Sequence, residues 1–335
     1  MLKAHIDNHY LSAAMSGAMR LGHSAKVILK QANIPWSYYQ NPSKKLTEQQ
    51  LSQLVQVVWL MTADEFMGFA QKKCNQGSFA LMAEYSLFAT TLGSMLERSA
   101  HFYRTIFPDL AIALNTNNSQ SELVFFEIKL QHSANDVDHF LQEFLLLMWQ
   151  RFSCWLVAQQ LPISSTTFNY AQPNHIDSYL QMFGSKLKFS YHTCGFYLHR
   201  KFLQYPLVRT PEELTDFLKT SPAYILHRPK EDNSLRTKVR LYLSAYNYQH
   251  LPSMSKLAND FNQTPRSLSR KLKDEGVSYS QIKDELLLSY SMKLLRTEHL
   301  SIAEVGNLVG FSETVSFSRA FKRWTGKSPK QWKTL

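Results

Sequence analysis

The chain has 335 residues, enough for two ordinary domains and too many for one small core. Hydrophobic residues make up 44 % of it, yet no run of about 18 uncharged apolar residues occurs, which excludes a helical membrane span. The net charge is +11, and nearly all of the excess sits in the last third: residues 228–335 hold 19 Lys+Arg against 10 Asp+Glu, residues 1–227 hold 18 against 16. A small basic module on a near-neutral body points to a polyanionic partner, nucleic acid first, although charge alone leaves a merely basic surface open.

Met1–Tyr10 mixes Lys3, His5, Asp7 and His9 and has no apolar signal-peptide core, so a cytoplasmic location is expected. Cys74, Cys154 and Cys194 stand far apart, without metal-ligand spacing, and fit buried thiols in a reducing compartment. In chain order, Ser12–Ala32 and Thr47–Thr62 read as helices. Leu123–Leu130 (LVFFEIKL) reads as a strand, and Asp136–Leu161 as a long buried helix opened by acidic residues. Lys186–Ser190 and Gly195–His199 are short strand candidates, and Pro211–Lys219 is a helix with Thr210 as N-cap. His227–Ser234 (HRPKEDNS) is polar, holds Pro229 and reads as a linker.

Beyond the linker strand signals vanish. Helical periods cover Arg236–Tyr248, Ser253–Phe261, Pro265–Glu275, Ser278–Glu298, Ser301–Val309, Glu313–Thr325 and Pro329–Thr334. The expected fold is therefore an α+β N-terminal domain, residues 1–227, followed by an all-α C-terminal domain of seven helices, residues 228–335.

That C-terminal domain contains a degenerate repeat. Met254, Leu257, Ala258 and Phe261 correspond to Ile302, Val305, Gly306 and Val309. Leu268 and Leu272 correspond to Phe317 and Phe321, Ser269-Arg270 to Ser318-Arg319, and Lys273 to Lys322, with one extra residue in the second turn. Each copy is a short helix, a tight turn and a second helix. The apolar pairs lie at i and i+4 and form a buried stripe. The opposite face carries Arg266, Ser269, Arg270 and Lys273 in one copy, and Thr314, Ser318, Arg319 and Lys322 in the other. This is a helix-turn-helix design, its second helix offering polar and basic groups to a major groove. One such copy is as readily an ordinary helical hairpin; two with matching Ser-Arg positions are not. The helix over Ser278–Glu298 would span roughly 30 Å at 1.5 Å per residue, close to one turn of B-DNA at about 34 Å.

These residues carry a resemblance. Gly310-Phe311-Ser312, Phe317-Ser318-Arg319-Ala320-Phe321-Lys322, Gly326 and Ser328-Pro329 resemble the C-terminal signature of the AraC/XylS family of transcription regulators, over about Asn233–Leu335. Trp332 departs from the usual Tyr or Phe, and Asn307 from the common Ala or Ser. The resemblance implies base contacts by Arg266, Ser269, Arg270, Lys273, Thr314, Val315, Ser316, Ser318 and Arg319. Arg suits guanine O6 and N7, while Val315 suits a thymine methyl. Lys322, Arg323 and Lys327 are expected at phosphates, with Lys273 a further candidate and the helix N-termini at Ser301 and Pro329 as additional anion sites.

Gly77-Ser78-Phe79-Ala80-Leu81, Thr91-Leu92-Gly93-Ser94-Met95-Leu96 and Tyr179-Leu180-Gln181-Met182-Phe183-Gly184 resemble the arabinose-binding-like sensor domain of one AraC/XylS subgroup, that of the ornithine-utilisation type, over roughly Ala14–Leu218. The domain label implies no sugar. The resemblance implies double-stranded promoter DNA, RNA polymerase, a small-molecule effector and a homodimer as partners, activation as the role, and neither cofactor nor membrane.

No G-x-S-x-G, Walker-type loop, H-E-x-x-H or G-x-G-x-x-G is present, so no catalytic residue and no metal ligand is expected. His101, His132, His139, His192 and His199 lack metal-ligand spacing. Phe102, Tyr103, Phe107, Phe125, Phe126, Trp149, Phe152 and Trp155 read as core; an effector pocket between the long helix and the sheet is the sharper alternative, with Arg104, Arg151 or Arg200 anchoring a carboxylate. Two other readings stand beside the effector-controlled regulator. One is a DNA-repair methyltransferase using Cys194, which follows His192 closely; the other is a constitutive regulator whose first domain only dimerises.

Overall fold

The computed structural model describes residues 5–116, 121–184, 186–220, 232–295 and 300–333. The chain forms two compact units, the second comprising Glu231–Leu335 with the short segments Leu87–Thr91 and Pro206–Thr210. The boundary expected at 227/228, most of the linker over His227–Ser234, the end of the helix expected to reach Glu298, and Thr334 lie outside the described residues.

The first unit opens with β1 (His5–Ile6), α1 (His9–Arg20), α2 (Ala25–Gln31), α3 (Ser37–Gln40), β2 (Leu46–Thr47) and α4 (Glu48–Thr62). The single helix expected over Ser12–Ala32 is two, because Gly22 takes a left-handed φ of +95° and breaks the ladder. α4 begins where its sequence says it should. The Thr47 hydroxyl accepts the Gln50 N–H at 3.1 Å while Gln50 Oε1 accepts the Thr47 N–H at 3.0 Å, a reciprocal cap.

Then come α5 (Ser78–Leu87), α6 (Leu92–Ile106), β3 (Leu110–Asn115), β4 (Leu123–Leu130), α7 (Phe140–Leu156), β5 (Ile163–Thr167), α8 (Ile176–Phe183), β6 (Leu187–Lys188), β7 (Cys194–His199) and α9 (Pro211–Thr220). Five strands form one mixed sheet in the order β3-β4-β7-β5-β6, antiparallel except for β5 beside β6. Helix α7 packs on β4 and β7 and is buried along its whole length. Its indole Trp149 sits 5.5 Å from Phe126, which pairs across the strands with Phe196. α7 starts later than expected: the Asp136 carboxylate reaches forward and accepts the N–H groups of Leu141 at 2.9 Å and Gln142 at 3.1 Å. Tyr103, Phe107, Phe125, Phe126, Trp149, Phe152 and Trp155 are all buried, so these aromatics are core.

From Leu235 onward the regular elements described in unit two are helical. It holds α10 (Leu235–Ser244), a 3-10 turn (Tyr248–His250), α11 (Met254–Asp260), α12 (Pro265–Asp274), α13 (Tyr279–Leu295), α14 (Ile302–Leu308), α15 (Thr314–Thr325) and α16 (Pro329–Lys333). Two small cores lie along it. Val239, Leu243, Leu257, Ala258, Leu268 and Leu272 fill the first with Ile282 and Leu286 of α13. Val305, Val309, Phe317 and Phe321 fill the second with Leu287 and Leu295 of the same helix. No helix among the described residues is long and apolar enough to cross a membrane.

Candidate nucleic-acid interface

The first helix-turn-helix is α11, a turn and α12. Ser253 caps α11 by accepting the Lys256 N–H at 3.2 Å, and Thr264 caps α12 by accepting the Ser267 N–H at the same distance. Pro265 fills the first position of α12, where a missing N–H costs nothing. Leu268 and Leu272 are fully buried. Arg266, Ser269, Arg270 and Lys273 fall at i, i+3, i+4 and i+7, so they share the opposite face, and all four are exposed.

The second copy, α14 and α15, repeats this with one difference in each part. Ser301 caps α14 by accepting the Glu304 N–H at 3.2 Å, and Glu304 accepts the Ser301 N–H at 2.7 Å in return. The turn positions match too: Asn262 has φ +52° in the first copy and its equivalent Gly310 has φ +85° in the second. α15 buries Phe317, Ala320 and Phe321 and ends at Gly326 in a left-handed cap. Thr314, Val315, Ser316 and Arg319 are exposed and Ser318 is half-buried. Val315 occupies the place Arg266 holds in the first copy and is 59 % exposed, an apolar group standing on an otherwise polar face.

The two copies are joined twice. Helix α13, with 17 residues, spans about 25 Å at 1.5 Å per residue and feeds both cores. The 3-10 turn is the second tie: Tyr248 stacks on Tyr290 of α13 at 4.4 Å, and Gln249 Nε2 donates to the Asn307 carbonyl at 3.1 Å. A β-carbon on Gly310 would meet the Gln249 carbonyl at 3.0 Å, so the glycine is needed for this close approach as well as for its φ. The repeat pattern contains no signal for this second tie. Glu285 of α13 also pairs with Arg236 at 3.2 Å and Arg240 at 3.7 Å, fixing α10 to the same helix.

Among the described residues, no ion pair or side-chain hydrogen bond engages Arg266, Arg270, Lys273, Arg319 or Lys322. Lys322 and Lys327 are exposed. Arg323, expected at a phosphate, instead pairs with Asp284 of α13 at 3.1 Å. Side-chain caps engage part of each helix N-terminus expected to hold an anion. Glu304 accepts the Ser301 N–H, and ahead of Pro329 the Gln331 amide oxygen accepts the Ser328 N–H at 2.9 Å.

In the first unit the three arginines separate. Arg104 is exposed on α6, Arg200 donates to the Ser121 and Thr116 carbonyls at 3.0 and 3.3 Å, and Arg151 is buried on α7. Cys194 is buried, donates to Asn169 Oδ1 at 3.1 Å, and has its thiol pushed up to about 12 by burial. Burial thus disfavours the thiolate that the methyltransferase reading needs. Among the described residues, no three His, Cys, Asp or Glu side chains are grouped to hold a metal ion.

Two helix-turn-helix units on one helical frame, each with an exposed polar and basic second helix, define a DNA-binding transcription regulator. Residues 22–207 match the family model described as the arabinose-binding domain of AraC transcription regulator, N-term, and residues 257–334 match a helix-turn-helix domain model. The chain belongs to the AraC family of transcription regulators. It is 22 % identical to the ornithine utilization regulator of Pseudomonas aeruginosa over 97 % of this chain and 95 % of that protein. It is 33 % identical to the regulator VqsM of the same organism over 31 % of each chain. Among solved structures, the transcriptional regulator CdpR of P. aeruginosa matches 76 % of this chain and 83 % of that one, at 22 % identity and a TM-score of 0.31.

Proposed function

We propose that the protein is a one-component activator of transcription. Residues 1–227 would hold a small-molecule effector and a homodimer contact, and residues 228–335, a seven-helix double helix-turn-helix domain, would read promoter DNA and meet RNA polymerase. The observation that carries the reading is the pair of repeat-equivalent faces, Arg266-Ser269-Arg270-Lys273 and Val315-Ser318-Arg319-Lys322, exposed except at the half-buried Ser318 and mounted on one shared helix. Arg270 and Arg319 read guanine edges, Thr314 and Ser316 flank them, and Val315 meets a thymine methyl. Lys322, Lys327 and, once released from Asp284, Arg323 hold phosphates. The effector acts by binding the DNA-competent arrangement more tightly than the other. The protein works by binding, not by catalysis, and does so in the cytoplasm.

Selection from a random DNA pool with the full-length chain tests this. The expected result is a bipartite motif with half-sites about one helical turn apart, and higher output from a promoter bearing it in a reporter cell. Absence of enrichment both from the full chain and from residues 228–335 alone contradicts the DNA-reading assignment.

A further inference from the structure

Helix α7 has only two charged side chains in its buried length, Glu143 and Arg151, and the fold treats them differently. Glu143 is enclosed by hydroxyl donors from Tyr10, Tyr170 and Tyr179. Arg151, two turns further on and only 6 % exposed, lines a cavity of about 270 Å³ between α7 and the β5 side of the sheet. The second charged lining residue is Lys186, and no Asp or Glu is among the described lining residues. Gln150, Gln160 and Ser165 add amide and hydroxyl groups, while Leu161, Ile163 and Phe183 supply apolar wall.

From this we infer that the cavity is the effector site and that it takes a small carboxylate. Its lining charge is positive, and two cations around a half-open cleft favour an anion. A guanidinium presents N–H donors in a planar fork that matches a carboxylate, and burial strengthens that interaction by excluding water. The amides and hydroxyl can serve a second polar group on the same molecule, and the apolar wall a short carbon body. At about 270 Å³ the cavity has room for several waters or a small organic molecule. It accommodates a short-chain acid. Of the three arginines considered from sequence, only Arg151 combines burial with a cavity to face.

The inference rests on the first unit being the effector-binding part of the regulator. Its test is calorimetric titration and thermal unfolding of the full-length chain with butyrate, succinate and glutarate as probes, against butyramide, butylamine and inorganic phosphate. At least one carboxylate is expected to bind and raise the melting temperature, with the amide, the amine and phosphate inert. Arg151→Gln should weaken that binding by about tenfold or more. Lys186→Gln, a change at an exposed position, should weaken it several-fold, so the proposal stays testable if the Arg151 variant does not fold. Binding by none of the carboxylates, equal binding of amide, amine or phosphate, or affinity unchanged in both variants overturns it. Operator binding by the same samples, ligand-free and carboxylate-saturated, separates the two readings. DNA selection without carboxylate binding sinks only the cavity assignment, whereas carboxylate binding with no DNA selection in either state sinks the regulator reading.

Discussion

Gly306 lies directly beneath Phe317: a β-carbon built on the glycine would stand 3.2 Å from Phe317 Cβ. The two helices of the second helix-turn-helix therefore cross where hardly more than a hydrogen fits. In the first copy the fully buried Ala258 stands at the matching position, in a core that holds Leu268 where the second copy has the bulkier Phe317. Gly306→Val should destabilise the second helix-turn-helix by about 1–3 kcal/mol through overpacking. Urea unfolding of the full chain measures it; an unchanged midpoint would mean the crossing is looser than described.

The cap and the groove face of α12 can be separated. Thr264→Ala removes the acceptor of the Ser267 N–H and should cost about 1 kcal/mol. Ser269→Ala, exposed and without a side-chain partner among the described residues, should change stability by less than about 0.5 kcal/mol while altering base preference. Thermal unfolding and operator binding of both variants decide this, and the reverse pattern counts against it.

Specific and nonspecific contacts should also part. Arg270→Ala and Arg319→Ala are each expected to lose about 1–3 kcal/mol of specific binding and relax selectivity at one base pair. Lys322→Ala and Lys327→Ala should weaken all sequences alike and reduce the salt slope by about 1 each. Asp284→Asn frees Arg323 from its ion pair and should raise nonspecific affinity. Salt titrations with operator and scrambled DNA give all of these numbers.

Burial pushes the Glu143 carboxyl from its ordinary 4.5 up to about 7, despite three tyrosine donors that pull the other way. Between those values the folded chain keeps a proton that the unfolded chain releases. The stability linked to this group is complete below pH 4.5 and is lost as the pH rises through about 7. Asp136, raised to about 6 by burial, acts in the same direction; His139 and His175, lowered by burial, act in the opposite one. Comparison with Glu143→Gln isolates the carboxyl: the variant's melting temperature should gain on the parent's from about pH 5 to about pH 8. A difference that is flat or of opposite sign over that range contradicts the shift.

The helix-turn-helix repeat is legible in the sequence because one periodic rule fixes both its core and its surface. Leu268 and Leu272 go inward at i and i+4, which forces Ser269 and Arg270 outward. The first unit is less legible. Helix α7 is apolar nearly all round, so no amphipathic edge marks its ends, and its N-terminal cap, Asp136, lies four residues before its first turn. The helical period runs unbroken across Gly22, and only that residue's left-handed φ splits the helix expected there. β3 (LAIALN) lacks clean alternation and becomes a strand through its pairing with β4, which local pattern does not reveal. Periodicity likewise could not choose among Arg104, Arg151 and Arg200, because the choice depends on which one the packing leaves beside a cavity. The partners of Arg323 and of the Ser301 helix end, Asp284 and Glu304, are likewise invisible to the repeat pattern, because they are set by the fold and by a cap.

The central claim is that α12 and α15 are held at one fixed spacing and read two successive major grooves. It is tested most directly by inserting base pairs between the two half-sites of the selected operator and measuring affinity with the full chain. Insertion of about five base pairs, half a helical turn, should reduce binding to that of a single half-site. Full affinity for the lengthened operator would contradict a rigid double reader and leave two helix-turn-helix units that act independently.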